Sequence, residues 1–226
     1  MLPESPRPVV YVQINYRLGA FGFLAGPSFT LSPDTIPNAG LHDQLFALEW
    51  VQKNIELFGG NKDEVTAMGV SAGGGSIMHL MSACGGRKDP LFKRAIPLSP
   101  GYFPMGGHGA PEAIYKDFES QVGCMFLLIA TCFRRADGVT GSNISCLRAA
   151  SSEILQKANL GLVASIELPN VGPEPVIDGE FVQDSPAYLF LQGRFRKDID
   201  ILVSGDIDEV PPPPESLFLI YTNAIN

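Results

Sequence analysis

Residues 64–73 read Glu64-Val65-Thr66-Ala67-Met68-Gly69-Val70-Ser71-Ala72-Gly73. A short strand-forming run, Glu64 to Met68, enters Gly69-Val70-Ser71-Ala72-Gly73, and a helix-forming stretch continues through His79 to Ser82. That strand–turn–helix setting gives the pentapeptide G-x-S-x-G its meaning. A serine at the apex of so sharp a turn is held in a strained backbone conformation. Gly69 and Gly73 let the neighbouring chain pass without a Cβ clash. The Ser71 hydroxyl then stands at a helix N-terminus, where the Ala72 amide can donate to an oxyanion. Without that setting, the same residues describe only a glycine-rich turn with a capping serine.

Working outward, Val9-Val10-Tyr11-Val12-Gln13-Ile14-Asn15 is β-branched and nearly continuous, which predicts a buried strand. Leu18 to Gly40 is rich in Gly, Pro and Ser and reads as loop. A helix is expected from Asp43, with Leu45, Leu48, Val51 and Ile55 at helical spacing and Gly59-Gly60 as its stop. Arg94-Ala95-Ile96-Pro97-Leu98 predicts another strand. Glu112 opens a helix with Ile114, Phe118 and Val122 on one face and Gly123 at its end. Ser185 and Pro186 suit the N-cap and first position of a helix closed by Gly193. Asp200 to Ser204 is the last expected strand. Strands alternating with helices specify an α/β class with a mostly parallel sheet.

Composition narrows the function. Sixteen basic and twenty-four acidic side chains leave a formal charge of -8. Neither a nucleic-acid footprint nor a polybasic membrane patch fits that balance. The 45% hydrophobic content excludes a disordered acidic chain. The longest apolar run, Met125 to Phe133, is too short to span a bilayer. Met1 to Pro8 shows no charged and apolar leader, so no secretory signal is visible. Cys84, Cys124, Cys132 and Cys146 form no C-x-x-C pair, and no metal or cofactor is expected.

Several blocks in order carry a resemblance. Asn15-Tyr16-Arg17-Leu18-Gly19, Gly22-Phe23-Leu24 and Asn38-Ala39-Gly40-Leu41-His42-Asp43-Gln44 resemble the type-B carboxylesterase/lipase family. Ala47 to Ile55, Phe58 to Asn61, Pro175-Val176-Ile177-Asp178-Gly179-Glu180-Phe181 and Gly205-Asp206-Ile207-Asp208-Glu209 resemble it too, and the elbow falls where that family has it. The likeness spans most of residues 9–209 and looks like the fungal lipases and cholinesterases of the family.

The resemblance implies an α/β-hydrolase fold, incomplete over residues 1–226, and cleavage of carboxylic esters through an acyl-serine. The substrate would be a small-molecule or lipid ester. Ser71 would be the nucleophile and Glu209 the acid that orients a histidine, with Asp206 and Asp208 as weaker choices. Val210 replaces the glycine that follows the family's acid, and Glu209 read alone is a solvated loop carboxylate. The resemblance also pairs Gly123-Cys124 with Cys146-Leu147-Arg148 in a disulfide, leaving Cys84 and Cys132 free. Excising Met125 to Arg135 would leave a ten-residue loop between the paired cysteines, so residues 125–135 read as an insertion, with translated non-coding sequence as the sharper reading. From Val210 to Asn226 the likeness stops.

The mechanism needs a base, and no histidine follows Glu209. His79 lies eight positions beyond Ser71, about 12 Å along a helix, and reads as structural. His42 precedes the expected helix start and reads as a surface or capping residue. His108, in a glycine-rich loop, is the remaining alternative base. The family's His-Gly-Gly-Gly oxyanion loop is not in the sequence. The expectation is therefore a serine ester hydrolase whose chain as written is not competent. The competing expectations are a non-catalytic relative that keeps the fold for binding and a gene-model fragment.

Overall fold

In a computed structural model the described residues are 8–86, 91–101, 109–124, 144–164 and 172–205. The insertion expected over 125–135 and the tail 210–226 lie outside them. Among the described residues the sheet has three parallel strands, β1 (Thr66–Val70), β2 (Arg94–Leu98) and β3 (Asp200–Ile201), in that order. Thr66 pairs with Arg94 and Val70 with Leu98. Arg94 pairs with Asp200 and Ala95 with Ile201, and a bridge from Leu98 to Ser204 prolongs that edge.

Parallel neighbours need a crossover, and α4 (Ala72–Ser82) supplies it between β1 and β2. Its Ile77, Leu80 and Met81 are buried with Ala95 and against Ala67, so α4 covers one face of the sheet. Each such side chain contributes roughly 1.5–3 kcal/mol when fully buried. Helix α3 (Ala39–Asn54) adds Leu41, Leu45 and Leu48 to the same core, and α8 (Pro186–Leu191) packs on α4. A second cluster joins Ala20 and Leu24 near α1 (Gly19–Phe23) to Tyr115 and Phe118 of α5 (Gly109–Val122). Leu147 of α6 (Ile144–Ala149) and Ala158 and Leu162 of α7 (Ser152–Ala164) complete it. The Cys124–Cys146 disulfide ties α5 to α6 at this cluster.

Strand β2 has the predicted bounds, and β1 starts two residues later than expected. Ser185 accepts from the Tyr188 amide at 3.4 Å with Pro186 at the first helical position, and Gly193 takes φ +71 beyond the helix end. The expected buried strand at Val9–Asn15 is a correction. The segment lies outside any strand, with Val9 75% and Tyr11 80% exposed. β-Branching favours extended chain, but a ladder needs a neighbour, and among the described residues no strand pairs with it. Its anchor is instead Arg17, whose Nε and Nη2 donate to Asp43 at 2.8 and 2.7 Å.

That pairing explains a second correction. Helix α3 begins at Ala39, after Asn38 in the left-handed region, so Asp43 lies past its first turn and serves Arg17. The stretch read as loop from Leu18 to Gly40 holds two short helices, α1 and α2 (Pro27–Thr30). Helices α6 and α7 had no expectation attached. Their signal is Leu155, Ala158 and Leu162 at helical spacing after Ser151, whose hydroxyl accepts from the Ile154 amide at 3.4 Å.

Candidate active site

Ser71 sits between β1 and α4 with φ +54 and ψ -120, a region that non-glycine residues rarely occupy. The strain is held by three backbone hydrogen bonds. Its amide donates to the Leu98 carbonyl at 3.0 Å. Its carbonyl accepts from Gly75 at 3.0 Å and Gly101 at 2.9 Å. The turn is thus fastened to the end of β2 as well as to its own helix. Ser71 is exposed, and Ala72 is the first residue of α4. The Ala72 amide therefore belongs to the unpaired donors at the helix N-terminus, where an anion is favoured.

The two elbow glycines are not equivalent. A Cβ on Gly69 would lie 2.5 Å from the carbonyl group of Gly73, so this position excludes any side chain. A Cβ on Gly73 would meet nothing within 4 Å, which corrects the expectation that both glycines relieve a clash. The second close approach belongs to Gly74, where a Cβ would lie 2.9 Å from the Pro100 Cα. Gly101 lies against the elbow: a Cβ there would stand 3.4 Å from Ser71 Oγ, at ordinary van der Waals contact. Sequence reasoning missed Gly74 and Gly101; the runs Gly73-Gly74-Gly75 and Pro100-Gly101 were the available signals.

His79 is 4% exposed on α4, and burial lowers its pKa to about 4. A buried imidazole two turns down the helix is held neutral and does not reach the hydroxyl. His42 lies in the first turn of α3, half-buried, with its ring 4.5 Å from that of Phe181. This corrects its reading as a surface or capping residue ahead of the helix. His108, Glu209, Asp206 and Asp208 lie outside the described residues.

The blocks around Asn38 and Asp178 meet beside a cleft of about 800 Å3, walled among others by Pro37, His42, Cys84, Val176 and Phe181. Ser71 is not part of its lining. Cys84 is a free, exposed thiol. Glu174, in the same segment as Asp178, has its carboxyl pushed up to about 7 by burial. Among the described residues no helix is long and apolar enough to cross a membrane.

A strained serine between a parallel strand and a helix, set among ordered sequence blocks, has a counterpart in known proteins. The sequence pattern of the carboxylesterase family matches residues 4–211. The chain belongs to the carboxylesterase family. A secreted lipase of Arthroderma benhamiae is 38% identical over 90% of this chain and 36% of its own length. Carboxylesterase patB of Aspergillus clavatus is 42% identical over 89% of this chain and 33% of its own. Mouse cholinesterase is 35% identical over 94% and 32%. This carboxylesterase-family chain thus spans about a third of the length of these relatives. Among solved structures, Aspergillus niger EstA superposes with a TM-score of 0.68 at 34% identity, over 83% of this chain and 34% of EstA. A PNB esterase gives 0.70 at 30% identity, over 86% and 38%. The fold is that of the α/β-hydrolase esterases, of which the chain holds a small parallel sheet with flanking helices.

Proposed function

We propose that this chain carries the nucleophile of a serine hydrolase acting on carboxylic esters, small-molecule or lipid. Ser71 Oγ attacks the ester carbonyl and its proton passes to a base. The oxyanion is held by the Ala72 amide, and collapse expels the alcohol with that proton, leaving an acyl-serine. Water then cleaves the acyl-serine by the same path. Glu209 is assigned as the carboxylate that orients the histidine base. The observation that carries the reading is Ser71 itself, exposed at φ +54 on a helix N-terminus and fastened by Leu98, Gly75 and Gly101. A binding module has no use for that strain.

Among the described residues no histidine is placed to serve Ser71 as a base. With His79 buried and His42 in a cleft that does not include Ser71, the chain as written is assigned negligible turnover. The test uses a chimera in which this chain replaces its matched third of EstA. A fluorophosphonate should modify Ser71 in the chimera, located by peptide mass, and modify the isolated chain weakly or not at all. Modification at another serine would refute the assignment.

A further inference from the structure

The Leu98–Ser99 peptide unit, at the end of β2, is bonded on both sides. Its carbonyl accepts from the Ser71 amide at 3.0 Å, on the β1 side. Its amide donates to the Ser204 carbonyl at 2.7 Å, on the β3 side. A peptide unit is planar and stiff, so the two bonds shift together. The Ser204 amide donates back to the Pro97 carbonyl at 3.4 Å, which closes the Leu98–Ser204 bridge. Beyond the unit the chain turns, and the Gly101 amide donates to the Ser71 carbonyl at 2.9 Å. Ser99 makes that turn at φ +40, and Pro100 follows it. Non-glycine residues seldom take a positive φ, and a residue before proline is steered to extended backbone. This strain is separate from that at Ser71, and it persists because bonds on both sides hold it.

We propose that Ser99 is a positioning residue whose left-handed turn locks the nucleophile elbow to Ser204. The inference rests on the reading of Ser71 as nucleophile and Glu209 as acid. Glu209 follows Ser204 by five positions, so the strand edge gripped by Ser99 is the one that leads to the acid. Catalysis by two groups from distant parts of a chain needs their separation fixed, and a displacement of about 1 Å can cost roughly 10^2-fold in rate. The Leu98–Ser99 unit fixes it through the backbone, by holding Ser71 with one end and Ser204 with the other. What the position requires is therefore a conformation. Glycine enters the left-handed region freely, alanine at a cost and a β-branched residue hardly at all.

The graded series Ser99→Gly, Ser99→Ala and Ser99→Val tests this. In the purified chain, amide hydrogen exchange followed by NMR should show the Ser71 amide opening at least about tenfold faster in Ser99→Val than in Ser99→Gly. Ser99→Ala should fall between them, and the Ile77 amide of α4 should be unchanged. Should Ser99→Val not fold, the alanine and glycine variants decide. In the EstA chimera, Ser99→Val should lower kcat for p-nitrophenyl butyrate by roughly 10^2-fold with KM within about threefold, and Ser99→Gly should restore most of the rate. The acid limb of kcat/KM should also move to lower pH in Ser99→Val, because a carboxylate drawn away from the histidine no longer favours its charged form. Lost stability alone would not move that limb. Equal exchange of the Ser71 amide across the series, or equal rates and pH limbs for Ser99→Val and Ser99→Gly, would overturn the proposal. A chimera that keeps its rate after Ser71→Ala would instead overturn the functional reading beneath it, on which the exchange series does not depend.

Discussion

The side-chain amide of Asn38 donates to the Asp178 carboxylate at 2.7 Å across 140 positions of sequence. The same amide donates to the Val176 carbonyl at 2.8 Å, and its oxygen accepts from the Val176 amide at 2.8 Å. The other Asp178 oxygen accepts from the Glu180 and Val182 amides at 2.8 and 2.9 Å. Asn38 is 1% exposed and left-handed at φ +59. These bonds join the blocks around the two residues into one clamp that seats α3 against the Val176–Val182 turn.

Removing the clamp should cost more than one surface contact. Asn38→Ala loses three part-buried hydrogen bonds and puts a Cβ residue without local support at positive φ, so stability should fall by roughly 2–4 kcal/mol. Asn38→Gly keeps the backbone at ease and should lose less. Urea unfolding of the three proteins checks this; an alanine variant at least as stable as the glycine variant would contradict it.

At the elbow, Gly69→Ala should deform the turn or cost at least about 2 kcal/mol, because its methyl meets the Gly73 carbonyl group. Gly73→Ala should be neutral or stabilising by up to about 1 kcal/mol, since nothing lies within 4 Å and the position is helical. Thermal melts of the two variants separate these outcomes; equal losses at both positions would refute the difference.

Elements with a local signal were legible in the sequence. Ser71 and its helix, β2, and the Ser185-Pro186 start of α8 follow from turn chemistry and period. Val9–Asn15 was not, because a β-branched run records a preference for extended chain and says nothing of whether a neighbour exists to pair with. The roles of Gly74 and Gly101 were equally hidden. Both depend on how closely the end of β2 passes the elbow, which is a tertiary distance. Asp43 read as a helix-start acid because its partner Arg17 lies 26 positions away.

The disulfide gives a chemical test. Cys84 should react with iodoacetamide in the folded, unreduced protein, while Cys124 and Cys146 should be recovered as one linked peptide. Reduction opens a link across 22 positions and should lower stability by roughly 2–4 kcal/mol. A map linking Cys132 to either cysteine would contradict the pairing.

Acid should destabilise the fold through His79. Its pKa is about 4 when folded and near the ordinary 6.5 when unfolded, so the unfolded chain binds more protons between these values. Stability from this group is complete above about 6.5 and is lost as pH falls toward 4, by about 3 kcal/mol. Glu174 acts oppositely over nearly the same range. Raised to about 7, its carboxyl favours the fold below 4.5 and loses that contribution as pH rises through 7. His79→Phe should therefore flatten the acid limb of a stability–pH curve, and Glu174→Gln should flatten the neutral limb. An unchanged acid limb in His79→Phe would refute the buried neutral imidazole.

The assignment of Ser71 is tested most directly by p-nitrophenyl butyrate turnover in the EstA chimera carrying this chain. The expected result is clear turnover by the chimera, a loss of at least about 10^3-fold in kcat on Ser71→Ala, and a loss of about 10^2- to 10^4-fold on Glu209→Gln, with negligible turnover by the isolated chain. A chimera that keeps its rate after Ser71→Ala, or an isolated chain that hydrolyses the ester and stops on His108→Ala, would contradict it.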